Sequence, residues 1–132
     1  MNGKEMLDMV VDKECLFCKI AQGKIKWQKF VAENDTFFAI RDIHPMAEGH
    51  TLVIPKKHCT TLLDVPANIG KDMLDLLKRV SSELMDKKFG DGFNLVMNNL
   101  AVAGQVVMHA HFHVIPRKEG DGLRSMTQYT GN

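Results

Sequence analysis

All six histidines of this 132-residue chain lie between positions 44 and 113, and three of them stand in His109-Ala110-His111-Phe112-His113. A spacing of two is that of a β-strand, where successive side chains point to opposite faces. It predicts that His109, His111 and His113 share one face while Ala110, Phe112 and Val114 share the apolar other. Solvated strand faces favour Lys, Glu and Thr, so three imidazoles in a row point to chemistry. Two chemistries fit. In one, His-x-His offers two ring nitrogens to a zinc ion. In the other, the middle imidazole is a nucleophile, since it titrates near ~6.5 and is partly unprotonated at neutral pH. Its neighbours then orient it and bind charge. A metal-binding β-barrel oxygenase wants a glutamate shortly after the histidine pair. Here the next acid is Glu119, beyond Pro116, which favours the nucleophile.

Two further groups have chemical potential. Cys15-x-x-Cys18 has the ligand spacing of a zinc knuckle. A thioredoxin-like redox pair is the rival reading but lacks its βαβ context, and two plain core thiols are the third. Asn98-Asn99 through Gly104-Gln105-Val106 reads as a loop between strands, where Gly104 lets the backbone come close to a ligand. Loop N–H groups and the Asn98 and Gln105 amides are suited to phosphate oxygens. No Walker A sequence and no G-x-G-x-x-G is present, so P-loop or Rossmann nucleotide binding has no support.

These residues need a scaffold. Residues 16 to 22 read as a short helix stopped by Gly23. Phe30 to Glu33 and Thr36 to Arg41 read as strands joined at Asn34-Asp35, and His50 to Ile54 as a third ended by Pro55. Residues 66 to 88 form the one long helix, entered at Pro66, with Ile69, Met73, Leu76, Leu77, Val80 and Leu84 on one face. Phe93 to Met97 and His109 to Ile115 complete five strands, the last ended by Pro116. The pattern predicts an α+β domain with a mainly antiparallel sheet, one face covered by the long helix and the other by a ligand, a partner chain or both. Residues 1 to 13 are expected to be an N-terminal extension with a short helix. Residues 118 to 132 are expected to be a polar tail, mobile or used at a subunit interface.

Composition narrows the function classes. Hydrophobic residues make up 45% and charged residues 25%, which argues against disorder. A net charge of +1 argues against a dedicated nucleic-acid binder. No apolar run reaches the ~20 residues of a membrane helix, and no signal peptide is read at the start. Three cysteines, an odd number, do not form a disulfide framework, so a cytoplasmic location is expected. Cys59 reads as a buried or half-buried thiol, and His44, before Pro45, as a solvated loop histidine, with contact to a bound ribose or base edge as the rival reading.

Taken together, these residues resemble the histidine-triad (HIT) family. His109-Ala-His111-Phe-His113-Val-Ile matches its His-φ-His-φ-His-φ-φ signature at every position. Cys15-Leu-Phe-Cys18-Lys-Ile20, Arg41-Asp42-Ile43, Pro45, Gly49-His50-Thr-Leu-Val-Ile-Pro-Lys-Lys-His58, Asn98 and Gly104-Gln105 stand in family order. The likeness runs from about residue 14 to residue 117. It is greater to Hint-type phosphoramidases and prokaryotic HIT hydrolases than to the fragile-histidine-triad branch. The resemblance implies a five-stranded sheet with one long helix and a short N-terminal helix, paired into a homodimer. It implies hydrolysis or transfer at the α-phosphate of purine nucleotide conjugates. His111 matches the nucleophile that forms a nucleotidyl-histidine, and the backbone carbonyl of His109 matches the group that fixes its tautomer. His113 matches the phosphate-binding imidazole, and His50 completes the group. Asp42 matches the acid that accepts the ribose hydroxyls. Leu16, Phe17, Ile20, Ile40 and Leu52 match the apolar slot for the base, and Asn98, Gly104 and Gln105 the phosphate loop. Prokaryotic members that keep the cysteine pair bind structural zinc, which maps to Cys15, Cys18, His58 and His109.

Two residues depart from the family pattern. Val106 stands where Hint-type members carry a serine, and valine has no hydrogen to donate to a leaving group. Trp27 stands where a small residue is commoner. Two other readings compete with the hydrolase. A nucleotide-binding adaptor would bind nucleotide yet show no turnover on any α-substituted nucleotide, whereas in the hydrolase His111→Ala keeps binding and loses hydrolysis. A metalloenzyme with zinc at the triad would lose turnover at once on chelation.

Overall fold

The structure, a computed structural model, describes residues 14–123. The expected N-terminal extension and the last nine residues of the expected tail lie outside them. Five strands, β1 (Phe30–Glu33), β2 (Phe37–Arg41), β3 (Thr51–Pro55), β4 (Gly92–Val96) and β5 (Phe112–Arg117), form one antiparallel sheet in the order β1-β2-β3-β5-β4. A short helix α1 (Leu16–Ala21) precedes the sheet, and α2 (Gly70–Asp86) connects β3 to β4. The α+β architecture expected from the strand and helix periods is the one the chain adopts.

Alternation along β2 explains the layering. Phe37 and Ala39 face α2, where they meet Ile69, Leu76, Leu77, Val80, Leu84, Phe112 and Val114. Phe38 and Ile40 face the other way, against Phe17, Ile20, Leu52 and Ile54. A fully buried Leu or Phe stabilises by ~1.5–3 kcal/mol, so the α2 stripe outweighs the weak intrinsic stability of a single helix. The sheet therefore has two cores. The first is closed by α2. The second is only partly covered by α1, and the remaining opening is a pocket.

Helix α1 is stopped by a Schellman turn. Gly23 takes φ +74° and donates to the Ile20 carbonyl, while Lys24 N–H reaches the Lys19 carbonyl at 2.9 Å. At the far end of α2 the same turn is made without glycine. Lys88 takes φ 59°, with Phe89 N–H on the Leu84 carbonyl.

Several boundaries differ from the sequence reading. The long helix begins at Gly70, after a 3₁₀ turn over Ala67–Ile69, rather than at residue 66. Both prolines expected to end strands lie within them. Pro55 is the last residue of β3, and Pro116 lies in β5 opposite Phe93. Only β4 flanks β5 at Pro116, because the β3 pairing stops at Thr51–Val114, so the missing N–H leaves no second neighbour unbonded. The strand expected to start at His109 starts at Phe112, so His109 and His111 precede it.

Candidate active site

The three histidines still converge, by a different route from simple strand alternation. His109 is fully buried and His111 is 8% exposed. His111 Nδ1 lies 2.7 Å from the backbone carbonyl of His109. A carbonyl only accepts, so Nδ1 carries the proton and Nε2 keeps its lone pair. The ring of His111 lies 5.0 Å from that of His113, and Phe17 packs edge-on against both His109 and His111 at 5.7 and 5.3 Å.

A second tautomer is set from the loop before β3. The Met46 N–H donates to His50 Nδ1 at 3.0 Å, so the His50 proton sits on Nε2. His50 Nε2 lies 3.0 Å from His113 Nδ1 and 3.5 Å from Asp42 Oδ2. With His50 donating, His113 Nδ1 accepts and its own proton is left on Nε2. The order Met46 amide, His50, His113 thus leaves one N–H donor on His113 for an anionic ligand. Burial lowers the pKa of His50, against a smaller opposing pull from Asp42. Burial, then the neighbouring His111 and His50, lowers His113 to about 4, so at neutral pH it is an uncharged donor.

These groups open on a pocket of about 340 Å³. Its walls include Leu16 and Phe17 of α1, Ile40 of β2, Leu52 of β3, Asp42, Asn98, Gly104, His111 and His113. The Asp42 carboxylate is oriented by the His44 N–H at 3.0 Å. Gly104 takes φ +101°, and a Cβ there would lie 3.4 Å from the Asn98 amide nitrogen. A larger depression of about 500 Å³ lies beyond Asp42 and His50. It lacks His111 and His113, and its Arg41 and Lys87 both pair with Glu83. The smaller pocket is therefore the candidate site.

Two residues expected at the pocket are placed elsewhere. Ile20 lies one layer down in the second core and is not among the pocket's walls. The Gln105 side chain is buried and holds the loop together. Its amide donates to the Thr60 and Val107 carbonyls, and its oxygen accepts from Leu100 N–H. Conversely, His44 is a wall of the pocket as well as an exposed loop residue. Trp27, Ile43 and Val107 are walls that the sequence reading did not assign. The signal available for Trp27 was its size at a position where small residues are usual. The role of Met46 had none, because it uses a backbone amide.

The cysteines meet two of the histidines. Cys15 Sγ lies 3.2 Å from His109 Nδ1, and Cys18 Sγ lies 3.3 Å from His58 Nδ1 and 3.5 Å from His109 Nδ1. All four donor atoms lie within 4.8 Å of one another. Tetrahedral zinc with ordinary Zn–S and Zn–N bonds separates S from N by about 3.5 Å, so the set fits. The tautomer also fits. His109 Nε2 donates to the Pro55 carbonyl at 2.7 Å, leaving the Nδ1 lone pair toward the sulfurs. Cys59 is outside the cluster, and burial pushes its thiol pKa up.

The fold and the histidine geometry define a class, and comparison with known proteins identifies the family. The HIT domain model matches residues 24–120, and the chain belongs to the HIT family. It is 40% identical over 113 residues to the adenylylsulfatase HINT3 of Arabidopsis thaliana, covering 86% of this chain and 57% of that protein. It is 39% identical over 120 residues to the adenosine 5'-monophosphoramidase HNT1 of Candida albicans, covering 87% of this chain and 78% of the relative. A zinc-bound histidine triad protein from Mycobacterium smegmatis superposes with a TM-score of 0.77 at 37% identity, over 84% of this chain and 80% of the other. Among the described residues, no helix is long and apolar enough to cross a membrane.

Proposed function

We propose that this protein is a nucleotide hydrolase or nucleotidyl transferase acting at the α-phosphate of purine nucleotide conjugates, with His111 as the nucleophile. One observation carries the reading. His111 Nδ1 is tied to the His109 carbonyl, so its unprotonated Nε2 is available beside a pocket that also holds Asp42 and His113. The names of the Arabidopsis and Candida relatives, one an adenylylsulfatase and one a phosphoramidase, support nucleotide conjugates as the substrate class.

The reaction runs as two displacements. The Nε2 lone pair attacks the α-phosphorus, a P–N bond forms, and the bond to the leaving group breaks with its electron pair. Water then attacks the same phosphorus and the P–N bond breaks. Nucleoside monophosphate is released, and the imidazole regains its neutral form. Two such steps replace one difficult step. His113 Nε2–H binds a phosphate oxygen, the Asn98–Gly104 loop holds the others, and Asp42 accepts the ribose hydroxyls. Leu16, Phe17, Ile40 and Leu52 enclose the base. Positioning and charge stabilisation supply the remainder, as phosphoryl-type transfer requires.

The same proposal includes one structural zinc per chain, which Cys15, Cys18, His58 and His109 would hold. Bound there, it would supply a cross-link and no chemistry, since four protein ligands leave no open position. It further includes a cytoplasmic homodimer. Phe93 and Leu95, exposed on one face of the edge strand β4, support pairing with a second copy.

Mass spectrometry after mixing with adenosine 5′-phosphoramidate, and then with a diadenosine polyphosphate, tests the chemistry. The expected result is a gain of one adenylyl group in the wild type and none in His111→Ala, which still binds nucleotide. Nucleotide binding with neither adduct nor nucleoside monophosphate from either substrate would reject the hydrolase and leave an adaptor. Metal analysis is expected to find about one zinc per chain. Instant loss of turnover on chelation, with the fold intact, would instead indicate metal at the triad.

A further inference from the structure

We infer that Trp27 is the specificity-determining wall of this pocket, the aromatic surface on which a flat base is selected over the rest of a nucleotide. The inference rests on the nucleotide reading and adds to it the residue that recognises the base. Trp27 lies in the connection between α1 and β1, more than eighty residues from His111 in sequence, yet it lines the same pocket as His111 and His113. It is half-buried and leans on the second core beside Phe17, Ile40 and Leu52. Its indole N–H is directed to the Arg41 carbonyl at 3.5 Å, at the end of β2 and next to Asp42. The one polar atom of the ring is thus engaged with the backbone, and what the ring offers the pocket is π surface.

The geometry leaves a nucleoside few alternatives. With phosphorus at His111 and the sugar at Asp42, the base meets the apolar walls. Leu16, Ile40 and Leu52 are aliphatic; they exclude water but do not discriminate a flat ring from another apolar shape. Only Phe17 and Trp27 are aromatic among the apolar walls. Phe17 is already packed edge-on to His109 and His111. Trp27 is the larger ring, sits beside the ribose acid, and has no ring partner among the described residues. An indole face binds any base by stacking and gives nothing to a ligand without one.

The alternative is that Trp27 only fills the second core. The two readings separate when ligands with and without a base are compared. Trp27 is the only tryptophan in the chain, so intrinsic fluorescence reports on it alone. The full-length protein is titrated with AMP, GMP and ribose 5-phosphate. AMP and GMP are expected to change the Trp27 emission, and ribose 5-phosphate is not. By calorimetry, Trp27→Ala is expected to weaken AMP by about ten-fold, with ribose 5-phosphate held within about two-fold and Trp27→Phe retaining most AMP affinity. Equal weakening of both ligands, or of neither, overturns the inference. If Trp27→Ala does not fold, Trp27→Phe and the wild-type emission decide, and unchanged emission on AMP saturation counts against it. Failure of the wild type to bind any of the three ligands would reject the nucleotide reading itself. Binding to which the base adds nothing would reject only the role of Trp27.

Discussion

His113 shows how a single residue ties chemistry to stability. In an unfolded chain its imidazole takes a proton near 6.5, but in the fold, buried beside His111 and His50, it does so only at about 4. Between these values the unfolded chain binds more protons than the folded one. The stabilisation from His113 is therefore fully present above pH 6.5, falls as the pH drops toward 4, and is lost below that. His50 is shifted in the same direction and adds to the slope. Thermal unfolding between pH 7 and pH 5 is expected to show a smaller drop in midpoint for His113→Asn than for the wild type. An identical drop would mean that His113 is not the group being titrated. The substitution is also expected to reduce turnover, because it removes the N–H that the Met46–His50 order places toward the ligand. Loss of His111 is expected to be more severe, since it removes the proposed nucleophile itself, whose Nε2 is left unprotonated by the His109 carbonyl.

At the scale of elements, the two Schellman turns make a controlled pair. One ends α1 with Gly23; the other ends α2 with Lys88, whose Cβ is strained at φ 59°. Lys88 is exposed, so nothing is lost from the core by replacing it. Lys88→Gly is expected to stabilise the protein by about 1 kcal/mol, a rise of several degrees in Tm, with kcat/KM unchanged. A fall in Tm would show that the Lys88 side chain stabilises α2 by more than the strain. Helix α1 is the opposite case. With only six residues it has little stability of its own, and its side chains Phe17 and Cys18 connect it to both the pocket and the Cys/His cluster. Cys18→Ser is expected to abolish stoichiometric zinc and lower Tm. Activity is expected to fall in proportion to the loosening of α1 and not at once. Zinc content and thermal melts of the same preparations check this.

For the whole molecule, the sheet order leaves β1 and β4 as edges, and β4 carries exposed Phe93 and Leu95. If the proposed homodimer forms there, light scattering gives twice the chain mass for the wild type. Leu95→Glu is expected to shift it to the monomer, since it puts a charge where two apolar strands would meet. A wild-type monomer, or a dimer indifferent to Leu95→Glu, would send the interface elsewhere.

Much of this protein was legible from local patterns. Periods of two and 3.6, Gly23 as a helix stop and the His-x-His-x-His run are nearest-neighbour physics, and they suffice for the five strands, the long helix and the histidine run, whereas the roles expected of Asp42, His50 and His58 came from the family resemblance. What needed the tertiary structure is whatever depends on contacts distant in sequence. Whether the three histidines lie in the strand was one such point, because β5 starts only where β3 and β4 are present to pair with it. The direction of Gln105 was another: Thr60, 45 residues away, supplies the carbonyl that turns its amide from the pocket. The spacing of Cys15 and Cys18 suggested a metal, but the approach of His58 and His109 is set by the packing of α1 on the sheet. Trp27 had no assigned place in the sequence and acquires one as a pocket wall because the Arg41 carbonyl holds its ring beside Asp42. Residue types and periods are encoded locally. Which atoms finally face one another is decided by the burial of two apolar sheet faces, and only the folded chain contains that information.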